Sequence, residues 1–167
     1  MEELERLAPE NALSGDKKPI IIILDDVRSM HNVGSAFRTA DAFSAAAIYL
    51  CGYTPVPPHR DIHKTALGAT ETVPWRHFPT TAAAIKAAQQ EGYKVYAVEQ
   101  VHDSIMLNSF RADGQPLALV FGNEVAGVNE EALAICEGCI EIPQWGAKHS
   151  LNISVSIGVV LWELVRG

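Results

Sequence analysis

The chain has 167 residues, 48% of them hydrophobic: enough for one domain with a sizeable core, and without any apolar run near the roughly 18 residues that a membrane span requires. Its acidic, amphipathic opening, MEELERLAPE, lacks the basic start and apolar centre of a secretory signal, so a soluble cytoplasmic protein is expected. With 13 Lys and Arg against 20 Asp and Glu, the net charge of -7 argues against a broadly basic nucleic-acid-binding surface and leaves room only for a local basic patch.

Residues 1–18 form an N-terminal extension, and 19–167 are expected to make a single domain. Pro19 to Leu24, PIIIIL, is a continuous β-branched run of the kind found in a central parallel strand covered on both faces. It ends at Asp25-Asp26, and a polar loop becomes helical from about Val33 to Phe43. Ala47 to Leu50 returns as a second strand and completes a βαβ unit. Thr54 to Arg60 holds three prolines and is a loop. Asp61 to Pro74 suits a short helix and a connector. Thr80 or Thr81 caps an Ala-rich helix reaching Glu91, which Gly92 ends.

Tyr93 to Glu99 is read as the third strand, Ser104 to Phe110 as a short helix or turn, and Leu117 to Phe121 as the fourth strand, ending at GNEVAG. Glu130 to Cys136 is helical and Gly138 to Ile142 is the fifth strand. A loop bracketed by Pro143 and Gly146 leads to Leu151–Val165, which is too long for a strand, carries apolar residues on every face and suits a buried helix. Strand and helix alternate throughout, so the expected class is α/β with a mainly parallel sheet and helices on both faces.

Three cysteines, Cys51, Cys136 and Cys139, make no disulfide framework. Cys136 and Cys139 form a CxxC, but it follows a helix and enters a strand, the reverse of a redox dithiol. His59 and His63 are spaced by four without the Glu of a zinc protease, and no metal is expected. GxGxxG, GxxxxGK[ST] and GxSxG are all absent.

Ligands of open parallel sheets bind beyond the carboxyl ends of strands, which directs attention to Asp25–Arg38, Val98–Gln100, Gly122–Gly127 and Pro143–Asn152. Asn32 and Arg38, six apart, place an amide at the mouth of a loop and a planar donor fork further along the helix it begins. A surface Arg on a solvated helix is the plainer alternative. Glu124 follows a core strand between two glycines that allow close backbone approach. Ser150 and Asn152 suit either a site or an ordinary helix cap.

Together, HNVGSAFRT, FGNEVAG and IPQWGAKHSLNISV resemble, in order and spacing, the three motifs of the SpoU branch of the SPOUT RNA methyltransferases. KTALGATETVPW, from Lys64 to Trp75, is similar to a further family segment. The resemblance implies a sheet whose C-terminal part is threaded into a trefoil knot. It implies S-adenosylmethionine held by backbone around Gly122, Ile142 and Leu151, with Val98 nearby, and a homodimer through the C-terminal helix. The implied reaction is transfer of a methyl group to a ribose 2′-hydroxyl of tRNA or rRNA. Arg38 would stabilise the emerging alkoxide, Asn32 would orient Arg38 or the ribose, and Glu124, Ser150 and Asn152 would shape the pocket. Arg28, Arg60, Lys64 and Arg76 are candidate RNA contacts. The resemblance covers a catalytic domain alone, and the acidic charge leaves room for an accessory protein. The rival readings are an RNA- or cofactor-binding module without catalysis and an α/β enzyme acting on a small molecule.

Overall fold

The computed structural model describes residues 15–148 and 150–166, so the first fourteen residues, His149 and Gly167 lie outside the described residues. Most of the expected extension over residues 1–18 falls there. Of its remainder, Lys18 already belongs to the first strand.

That strand, β1 (Lys18–Asp25), shows why an unbroken isoleucine run was needed. Ile20, Ile22 and Leu24 enter one hydrophobic cluster with Phe37, Leu50 and Ile157, while Ile21 and Ile23 enter a second with Tyr49, Ile85 and Val120. The remaining elements are α1 (Met30–Ala42), β2 (Ala45–Cys51), α2 (Arg60–Ala66), α3 (Ala69–Thr72), β3 (Trp75–Phe78), α4 (Thr81–Gln90), β4 (Lys94–Val98) and β5 (Ile105–Met106). A 3-10 turn (Leu107–Ser109), β6 (Leu117–Phe121), α5 (Glu130–Ile135), β7 (Gly138–Glu141) and α6 (Ile153–Val165) complete them.

The seven strands lie in the order β3-β2-β1-β6-β4-β7-β5, and every adjacent pair is parallel. Helices α1, α2, α3 and α6 pack on one face, α4 and α5 on the other. The chain leaves β1 toward β2 but leaves β6 toward β7, so connections diverge where Leu24 pairs with Phe121. Such a switch point opens a crevice at the carboxyl edge of a sheet.

Several boundaries differ from expectation for identifiable reasons. Helix α1 starts three residues earlier than about Val33, because the Ser29 side chain accepts the Asn32 N–H at 3.2 Å and caps it. Asn32 therefore sits in the first helical turn and not in the loop. The four-residue strand β3 lies in what reads as a connector, WRHF being a short edge segment paired only with β2. It makes Tyr93–Glu99 the fourth strand, here Lys94–Val98. Ser104–Phe110 contains the two-residue strand β5 besides its turn.

Helix α6 buries Ile153, Ile157, Val160 and Leu161 against α1 and the sheet. Its opposite side is apolar yet exposed in the single chain: Val155 is 49% exposed, Val159 38% and Trp162 59%. The expectation of a helix buried all round is thus met on one face only. Among the described residues no helix is long and apolar enough to cross a membrane.

Candidate functional site

Asp25, 1% exposed at the end of β1, accepts hydrogen bonds from Thr81 Oγ1, the Asn129 N–H at 2.8 Å and Asn129 Nδ2 at 2.9 Å. Asn123 Nδ2 donates to the Asp26 carbonyl at 2.7 Å. The turn from Asn123 to Asn129 is thereby tied at both ends to the strand beside it. Inside the turn, the N–H of Asn123 and of Gly127 each donate to the other's carbonyl, at 3.0 and 2.9 Å. A Cβ on Gly122 would overlap the Gly127 carbonyl carbon and the Val128 nitrogen, so only glycine lets this turn close.

The fixed turn aims Glu124 at the start of α1. Its carboxylate accepts Asn32 Nδ2 at 3.1 Å and, more weakly, the Ser29 and Arg28 N–H groups at 3.4 and 3.5 Å. Negative charge suits a helix N-terminus, where backbone N–H groups are otherwise unpaired. Burial alone would raise the Glu124 carboxyl, but hydrogen bonds from its own backbone N–H, Asn32, Ser29 and Arg28 outweigh it and hold the group below its ordinary range.

Asn32 also reaches the third segment, since its Oδ1 accepts Asn152 Nδ2 at 3.3 Å. Asn152 Oδ1 in turn accepts the Ser154 N–H at 2.9 Å and caps α6. One end of the Asn152 amide thus caps α6 while the other end bonds Asn32 at the cavity wall.

These segments wall a cavity of about 450 Å³. Val98, Gly122, Ile142 and Leu151 line it, as do Glu124, Ser150 and Asn152. The four residues expected around a cofactor and three of the five expected for catalysis thus face one space, to which Asn32 is hydrogen-bonded. Glu99 and Ser156 also line it; Glu99 lies in the strand-end segment Val98–Gln100 marked from sequence, but neither residue was assigned a role. Glu99 accepts the Val128 N–H at 3.1 Å and lies where a Cβ on Gly127 would stand, so glycine is required there both for that space and for its φ of +70°. Its signal was available: a carboxylate directly after a core strand, as with Glu124.

Arg38 does not line this cavity. Six residues beyond Asn32, it lies about 9 Å further along the axis of α1 and lines a separate cleft with Ser35, Thr39, Lys64, Thr65, Ser154 and Val155. The candidate RNA contacts are scattered. Arg28 stands beside the site, 5.9 Å above the Tyr53 ring, and Lys64 shares the Arg38 cleft while pairing with Asp61 at 2.9 Å. Arg60 opens α2 and is exposed. Arg76 is engaged on β3, bonded to Glu91 at 2.7 Å and packed 4.8 Å over the Phe78 ring.

Among the described residues no cluster of three or more His, Cys, Asp and Glu could hold a metal ion. The CxxC lies near the far end of the sheet, and burial, reinforced by Cys139, Glu137 and Asp25, pushes the Cys136 thiol up to about 12. A thiolate nucleophile is not what that environment favours.

The profile of the SpoU rRNA Methylase family matches residues 19–162. The 23S rRNA (guanosine-2'-O-)-methyltransferase RlmB of Vibrio cholerae is 34% identical over 159 residues, which cover 94% of this chain and 63% of that protein. The tRNA (guanosine(18)-2'-O)-methyltransferase of Thermus thermophilus is 32% identical over 166 residues, covering 98% and 83%. In three dimensions the chain is similar to an AdoMet-bound rRNA methyltransferase from Sinorhizobium meliloti, with a TM-score of 0.83, 28% identity, and 96% and 61% of the two chains covered. The chain thus spans less than two thirds of the RlmB relative.

Proposed function

Because the chain belongs to the SpoU rRNA Methylase family, we propose that it is an S-adenosylmethionine-dependent methyltransferase acting on a ribose 2′-hydroxyl of rRNA or tRNA. The observation that carries this reading is the hydrogen-bonded chain Glu124–Asn32–Asn152 on the wall of the 450 Å³ cavity.

The cavity suits that cofactor chemically. Val98, Ile142 and Leu151 offer apolar walls for a planar base, while Glu99, Glu124 and Glu141 suit the positive sulfonium and ammonium groups. Backbone at Gly122, Ile142 and Leu151, with Val98 beside it, would hold the group. Once bound, it supplies a methyl group that is already electrophilic, which leaves the protein to align the incoming oxygen and manage its proton. The knot implied by the motifs belongs to the same reading, supported by Ile142, Gln144, Ser150, Leu151 and Asn152 sharing one wall with residues 98–100 and 122–125 and by the Asn152 bond to Asn32 of α1. Topology rules otherwise disfavour knots.

The Arg38 guanidinium offers five N–H donors and no acceptor, so it is suited to hold an anion and not to take a proton. Its role is to stabilise the forming alkoxide and the neighbouring phosphate, with the proton leaving to phosphate or water. Since Arg38 lines its own cleft beside Ser154 and Val155 of α6, a homodimer formed through the exposed apolar face of α6 would set Arg38 at the subunit interface. Arg38 of one subunit would then complete the pocket of the other. With a net charge of -7, an accessory RNA-binding protein would add electropositive surface and strengthen the RNA binding of the chain itself.

The test is transfer of labelled methyl from S-adenosylmethionine to unmodified rRNA and tRNA, followed by mapping of the 2′-O-methyl nucleotide. Incorporation by the wild type and its loss in Arg38→Lys, which keeps the charge but not the fork, are expected. Cofactor binding without incorporation into either RNA would replace this reading with a binding module.

A further inference from the structure

Trp145 stands out against the burial of the rest of the chain. It is 91% exposed, belongs to neither hydrophobic cluster, and sits on the loop from β7 to α6. Its neighbour Gln144 lines the cavity, as does Val125, which is 96% exposed on the turn carrying Glu124. Two nearly naked apolar side chains therefore belong to segments that wall one pocket. Pro143 and Gly146 bracket the indole within the loop, and the exposed Lys148 follows three residues on.

We propose that Trp145 is a stacking platform for an unpaired nucleobase of the substrate RNA at the entrance to this cavity. The proposal rests on the methyltransferase reading above and adds how the RNA is gripped. A substrate ribose must approach walls that include Glu99, Glu124 and Glu141, where phosphate attraction is weakest. Stacking on an aromatic ring needs no counter-charge, and unpaired RNA offers bases that can be splayed onto one. The exposed Lys148, three residues on in the loop, would offer a cation to the backbone of that nucleotide. The exposed face assigned to the second subunit lies on α6, whereas Trp145 belongs to the pocket loop.

The experiment measures binding of a fluorescein-labelled single-stranded oligoadenylate to the full chain by anisotropy, across a salt series, for wild type, Trp145→Ala and Trp145→Phe. Loss of one base stack weakens binding by about 5- to 160-fold in Trp145→Ala. Trp145→Phe keeps most of the affinity, and the slope of affinity against salt stays that of the wild type because no cation is removed. Sedimentation of both variants shows an unchanged oligomeric state.

Unchanged affinity in Trp145→Ala overturns the proposal, as does a shift of that variant toward monomer, which would make the indole a subunit contact. If the wild type binds neither the oligonucleotide nor unmodified rRNA or tRNA, the methyltransferase reading itself falls. Those outcomes are distinguishable, because the first two require a wild type that binds.

Discussion

Asn32 Nδ2 donates to Glu124 Oε1 at 3.1 Å, so the first turn of α1 and the turn after β6, 92 residues apart in sequence, share one hydrogen bond at the cavity wall. The same Asn32 amide accepts from Asn152 through its oxygen. One side chain thus holds three separate segments in register, and each predicted consequence below touches that arrangement or its surroundings.

Glu124→Gln keeps the shape but loses the charge that faces the α1 N-terminus. Methyl transfer is expected to fall by 10-fold or more, on the order of the 10- to 1000-fold seen when a preorganised polar group at a reacting site is removed. Asn32→Ala, which breaks both arms of the chain, should fall at least as far. Rates with a verified RNA substrate decide it, and activity near wild type in Asn32→Ala would show that the junction is not part of the working site.

The acid limb of stability should carry the mark of Glu124. Its folded carboxyl lies below the ordinary 4.5, because hydrogen bonds to the charged form outweigh the burial that opposes it. A depressed folded value means the stabilisation is present above the unfolded value and lost as pH falls through the folded one. Wild type and Glu124→Gln should therefore converge in stability as pH drops below 4.5, measured by denaturant unfolding. Since the group is largely exposed, the effect is small, and a constant difference down to acid pH would contradict it.

Arg38 in its own cleft makes a subunit-mixing prediction. Arg38→Ala and Asn152→Ala subunits, each inactive alone, should regain activity when co-assembled, because a mixed dimer then holds one site with both residues intact, roughly half of a wild-type dimer under two-fold symmetry. Mixed dimers as inactive as the parents would place Arg38 in its own subunit's pocket. Val159→Glu with Trp162→Glu should give soluble monomers by sedimentation.

Gly122→Ala should be severely destabilising, since its Cβ would overlap backbone atoms of Gly127 and Val128 that no rotamer change can move. A loss of roughly 1–3 kcal/mol, together with loss of cofactor binding, is expected in thermal unfolding and calorimetry. A stable variant with unaltered binding would show that the turn has room the geometry denies.

The class of fold was legible because it rests on local patterns. The run PIIIIL can satisfy burial on both faces only as a central parallel strand, and alternating apolar strands and capped helices then call for crossover connections. Thr80 and Gly92 bracket α4 for reasons contained in their own side chains, a hydroxyl that accepts the Ala83 N–H at 3.1 Å and a φ of +90° that favours glycine. The motif residues were legible for the same reason, as polar groups placed just after strands.

Less was legible where partners are distant. Trp75–Phe78 becomes a strand only because β2 offers it an edge, and Asn32 joins the helix only because Ser29 caps it. Residue identity determined that Asn32, Glu124 and Asn152 would be polar groups needing partners. Which groups they chose, and that Arg38 stands apart from them in a second cleft, depended on the packing of α1 and α6 against the sheet. Propensity and capping act over a few residues, whereas hydrogen bonds across about a hundred positions exist only once the chain has closed around its core.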